Sequence, residues 1–231
     1  MSKMEQLRQL FDDWRKTCKS PQNDFYEDGI INESLYESCA PGHKILVIAK
    51  EPNAANHDQN GDLSFVTEWD NRKADYTFAR VIAQWVYGIF HDFPPFDELQ
   101  KDNIVENLRK ISFMNVKKTG GRGSAVRDDI YDLVCTHKNF ITKEIEIIDP
   151  DIIILGLSFD KKIIHQIFGP CDWQNSGYSI KAAKFGSSRV IDFYHPSSRN
   201  VPAASYSLLQ NIVRSAAFMR LQLQDNDRLP L

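Results

Sequence analysis

Four short stretches of the chain are almost unbroken in apolar residues: 44–50 (KILVIAK), 111–116 (ISFMNV), 151–157 (DIIILGL) and 189–195 (RVIDFYH). Each is rich in β-branched or aromatic residues and too short for a typical helix, the pattern of a strand buried on both faces. Around them apolar residues recur at intervals of three and four. Leu7, Leu10, Phe11 and Trp14 mark an amphipathic helix over 3–18, and the same spacing predicts helices over 76–90, 125–148 and 205–223. Ser124 or Asp128 is placed to cap the helix over 125–148.

Strands alternating with helices imply βαβ crossovers, and so a parallel sheet covered by helices on both faces. The expected fold class is therefore α/β: a three-layer α/β/α sandwich with a central, mainly parallel four-stranded sheet. Gly186-Ser187-Ser188 gives the last strand a hairpin-like lead-in. A single domain over 1–231 is expected, with 1–40 as an amino-terminal helical extension and 224–231 as a flexible tail.

Composition narrows the class without changing this picture. Hydrophobic residues at 42% and charged residues at 26% fit a folded globular protein rather than a disordered one. A net charge of −3 argues against coating nucleic acid by bulk electrostatics, yet leaves room for a local basic patch. The four cysteines form no C-x-x-C pair, so spacing points to no zinc or iron–sulfur ligand set and to reduced, buried thiols. No leader pattern and no run of about 18 apolar residues is present, and a cytoplasmic location with no membrane contact is expected.

In open parallel sheets ligands bind beyond the carboxyl ends of the strands. That rule selects KEPNAAN, NVKKTGGRGSA, GLSFDKK and HPSSRN as the segments to search for chemistry. Glu51 leaves a buried strand beside Lys50, with Pro52 forcing an extended start to the loop. A carboxylate there can orient a water or stabilise a developing cation. Glycines 120, 121 and 123 let backbone approach an anion closely, and Lys117, Lys118 and Arg122 add positive charge. The loop lacks the Lys-Ser/Thr ending of a nucleoside-triphosphate site, so that reading fails. Taken singly, Glu51 reads as an acid salt-bridged to Lys50 or Lys118, His195 as a structural histidine, Asn115 as a backbone-bonding amide and Phe65 as core. Together, at the ends of buried strands, they read as a site.

Ala49-Lys50-Glu51-Pro52-Asn53 and His195-Pro196-Ser197 resemble two motifs of the uracil-DNA glycosylase superfamily, across most of residues 44–215. The loop HPSSRN is most similar to that of the single-strand-selective monofunctional branch. The first motif diverges: Ala49 stands for the usual glycine, Glu51 for Asp or Asn, and Asn53 for Gly or Tyr, with Lys50 unusual beside the acid.

The resemblance implies a DNA repair glycosylase that hydrolyses the N-glycosidic bond of uracil or another deaminated base flipped from DNA, as a monomer and with no metal or cofactor. It implies two catalytic residues: Glu51, directing water and stabilising an oxocarbenium-like sugar, and His195, donating to the leaving base. Phe65 is then a stacking platform and Asn115 the reader of the pyrimidine edge, with Ala49, Lys50, Pro52 and Asn53 lining the base site. Lys117, Lys118, Arg122, Ser197, Ser198, Arg199 and Asn200 are expected on the DNA, with residues 199–201 as the tip of a wedge. The alternative is a domain whose altered first motif binds DNA or a nucleotide without hydrolysis.

Overall fold

The four apolar runs form the strands expected of them, in a larger sheet. A computed structural model describes residues 1–18, 25–52, 64–72, 76–121 and 125–226. Within these, β1 (Gly29–Ile30), β2 (Ile45–Ala49), β3 (Ser112–Asn115), β4 (Ile152–Leu155), β5 (Gln174–Asn175), β6 (Lys181–Phe185) and β7 (Ser188–Asp192) pair in the order β1-β3-β2-β4-β7-β6-β5. The central β3, β2, β4 and β7 are mutually parallel, and β1, β5 and β6 add antiparallel edges. The expected four-stranded sheet is thus the middle of a seven-stranded mixed one. The two-residue strands β1 and β5 are too short to carry a period-2 signal.

Helices cover both faces. On one lie α1 (Lys3–Thr17), α6 (Arg127–Ile148) and α7 (Lys161–Phe168), packed over Leu46, Ile48, Met114, Ile153 and Leu155. On the other, α3 (Phe65–Asp70), α4 (Thr77–Phe90), α8 (Pro202–Val213) and α9 (Ala216–Asn226) cover Val47, Ala49, Phe113, Ile154 and Ile191. The short helices α2 (Glu33–Glu37) and α5 (Lys101–Glu106) complete the set. Every residue of β2, β3, β4 and β7 is buried, and each large apolar side chain so enclosed contributes roughly 1.5–3 kcal/mol. Among the described residues no helix is long and apolar enough to cross a membrane.

Several local expectations shift. Of the first 40 residues, those described pack against the rest of the fold: Trp14 of α1 stacks on Phe140 of α6 at 5.4 Å, and β1 joins the sheet edge. The helix expected over 205–223 is two, because the Ser215 hydroxyl accepts from the Phe218 N–H and caps a fresh start, while Pro202 begins α8 three residues early. Val126 occupies the cap position of α6 with no side-chain bond; Asp128 lies in the first turn, and Ser124 lies outside the described residues. The cysteines are free; Cys135 is exposed rather than buried, and the other three are half-buried.

Candidate functional site

From β2 the chain crosses to β3 on one side, whereas β4 hands on toward β7 on the other. The adjacent carboxyl ends of β2 and β4 therefore form a topological switch point, where the outgoing loops part and leave a crevice. A cleft of about 220 Å³ opens there, lined by Lys50 after β2, by Leu157, Ser158, Phe159 and Asp160 after β4, and by Arg127 at the start of α6. Arg127 makes a forked ion pair with Asp160, whose carboxylate also caps α7 through the N–H groups of Lys162 and Ile163; the guanidinium holds that carboxyl below the usual carboxylate range.

The rim is held together by backbone. Val116 N–H donates to Ala49 O, Lys117 N–H to Lys50 O and Gly121 N–H to Pro52 O, so the loop after β3 is zipped onto the loop after β2. Glu51 is enclosed in that seam: its Oε2 lies 2.5 Å from Lys117 Nζ, with both side chains largely buried. Gly121 packs against the same carboxyl so closely that a Cβ there would overlap it unless the carboxylate shifted. The partner of Glu51 is thus Lys117, not Lys50 or Lys118.

Across the switch point, Gly156 N–H donates to Ile48 O, and a Cβ on Gly156 would lie 3.1 Å from Pro196 Cδ and 3.2 Å from Ile48 O. The missing side chain lets the segment after β7 close against the ends of β2 and β4. His195 follows at once, and its Nδ1 accepts from the Ser197 N–H at 3.1 Å, which leaves the ring's proton on Nε2. Burial, reinforced by the charge of Lys50, pushes the imidazole down to about 4, so it is neutral at pH 7 and offers an Nε2–H donor.

Asn115 ends β3 opposite Ala49 and is buried. Its backbone N–H donates to Asp28, but its side-chain Nδ2 is buried without a hydrogen-bond partner. Strand alternation puts Asn115 on the face of Phe113, where a run of rings leads from Phe65 (5.0 Å from Phe113) through Phe78 (5.6 Å from Phe113) to His195 (5.6 Å from Phe78). Phe65 itself is core, wedged among Tyr26, Trp69 and Phe113. Ala49 and Pro52 are buried too and shape the seam through their backbone oxygens.

Lys118 departs furthest from expectation. Rather than facing DNA, it is 3% exposed, ion-paired with Asp28 and Glu144 and set over the rings of Phe11 and Trp14 at 5.2 and 5.1 Å. Glu144 Oε1 takes the hydrogen bond at 3.0 Å, and Oε2 lies 2.7 Å from the same ammonium. Burial holds the Glu144 carboxyl well above the ordinary range. Sequence reasoning missed this triad; the available signal was an acid at 144 on the apolar stripe of Ile141, Ile145 and Ile148. It also missed Asp192 at the end of β7, pushed up to about 6 by burial.

In the last loop Ser197, Arg199 and Asn200 are exposed; Ser198 N–H donates to His195 O and its hydroxyl accepts from Asn200. Val201 stands 66% exposed at the tip. Asn53 and Arg122 lie outside the described residues. Among the described residues no group of three or more His, Cys, Asp or Glu is placed to hold a metal ion. No protein-family model matches the chain, and no curated protein matches it.

Proposed function

We propose that this rim serves a DNA glycosylase of the kind found in the uracil-DNA glycosylase superfamily, acting in the cytoplasm on uracil or another deaminated base flipped from DNA. The observation that carries the reading is Asn115: a buried amide whose Nδ2 lacks a partner at a strand end is costly unless a ligand completes it. A pyrimidine edge with one acceptor and one N–H fits an amide, and cytosine inverts that pattern. His195, neutral and donating through Nε2, stabilises charge on the departing base. Glu51 supplies negative charge for the sugar cation, while Ser197, Arg199, Asn200 and the exposed Val201 meet the strand.

The test is a panel of single- and double-stranded oligonucleotides carrying uracil, hypoxanthine, xanthine or mismatched thymine, cleaved by alkali at any abasic site formed. Base release is expected from at least one substrate, falling about 10²–10³-fold in His195→Ala and in Asn115→Ala. Absence of release from every substrate, or undiminished release by Asn115→Ala, overturns the proposal. A second reading, binding of DNA or a nucleotide without hydrolysis, is favoured by the commitment of Glu51 to Lys117. Submicromolar binding of uracil-containing DNA with no turnover decides for it.

A further inference from the structure

The ammonium of Lys50 lines the switch-point cleft, half-buried, and among the described residues it has no hydrogen-bond or ion-pair partner. Its sequence neighbour Glu51 is ion-paired with Lys117, and the acid that lines the cleft, Asp160, with Arg127. A partly desolvated amine kept clear of carboxylates, beside the neutral imidazole of His195, is set out as a nucleophile rather than as half of a salt bridge. The apolar walls from Leu157 and Phe159 accept sugar carbons, and the cleft lies at the same carboxyl edge of the sheet as Glu51 and His195.

We propose that Lys50 condenses with the aldehyde of an abasic deoxyribose, the product of base removal, to form a Schiff base. The ammonium first yields a proton to solvent. Nζ then attacks C1′ of the ring-opened sugar, a C–N bond forms, and the carbonyl oxygen leaves as water, giving an imine that hydrolysis reverses. No oxidation occurs and no co-reactant is required. This rests on the DNA-directed reading of the rim but not on this protein's own base removal, because the substrate of the step can be supplied ready-made.

The full chain is incubated with an oligonucleotide bearing a preformed abasic site and reduced with borohydride, which fixes an imine as a stable amine. A covalent protein–DNA adduct is expected, with peptide mapping placing it on Lys50. It should fall at least about 20-fold in Lys50→Ala and in Lys50→Arg, and persist in Lys143→Ala, which removes an exposed amine of α6 away from the cleft. Lys50→Arg keeps the positive charge but has no amine that forms an imine, so its DNA affinity is measured alongside and adducts are compared at matched occupancy; melting temperatures check folding. No adduct with wild type, an undiminished adduct in both Lys50 variants, or mapping to another lysine overturns the proposal. Since the abasic site is preformed, an adduct without base release sinks only the glycosylase reading, and base release without an adduct sinks only this one.

Discussion

Replacing Lys118 with Met removes the one ammonium from a pocket that holds two carboxylates while keeping a stem of similar length against Phe11 and Trp14. The native triad sets one ammonium between two carboxylates, and burial raises the affinity of Glu144 for a proton. The variant leaves the Asp28 and Glu144 carboxyls without their ammonium, and among the described residues Asp28 keeps the Asn115 N–H as a donor. Breaking a buried pair in this way costs about 3–5 kcal/mol, a large share of the roughly 5–15 kcal/mol that holds a folded domain together. At roughly 2–4 °C per kcal/mol for a chain of this size, the melting temperature should fall by about 6–20 °C, read by circular dichroism at pH 7. The same triad sets a pH slope. Because Glu144 binds its proton more tightly folded than unfolded, stability should decline as pH rises above the ordinary glutamate range, and Glu144→Gln should flatten that decline. A loss below about 1 kcal/mol in Lys118→Met would refute the reasoning, since it would mean the triad is solvated.

Two further outcomes follow from the rim. The His195 ring should titrate in an NMR series with a midpoint near 4, well below its ordinary 6.5; since the unfolded chain then binds the extra proton, stability should rise with pH between those values, and a midpoint near 6.5 would contradict the buried, Ser197-bonded ring. Gly121→Ala forces a methyl into the Glu51 carboxyl and should cost about 1–3 kcal/mol in urea unfolding; an unchanged midpoint would show that the seam between the two loops is loose.

Much of the fold was legible because burial on both faces leaves a local trace. Runs such as Ile152–Leu155 need no partner in view to be recognised as strands, and Leu7, Phe11 and Trp14 announce the inward face of α1 from spacing alone. The end-of-strand rule pointed to Glu51, Asn115 and His195, which stand at or just after the carboxyl ends of β2, β3 and β7. The edge strands were out of reach, since two residues carry no period, and so was the break before α9, which depends on one serine hydroxyl turning back to cap.

The chain's own pattern of apolar residues determined which segments become strands, which become helices and which loops gather at the carboxyl ends, because burial is a property each residue expresses locally. Only the tertiary structure decided between the adjacent lysines 117 and 118. In an irregular loop one faced the carboxylate of Glu51 and the other turned inward to Asp28 and Glu144, contributed by segments 90 and 26 residues distant. Charges find their partners through space, and a sequence records no distance between segments it has not yet folded together.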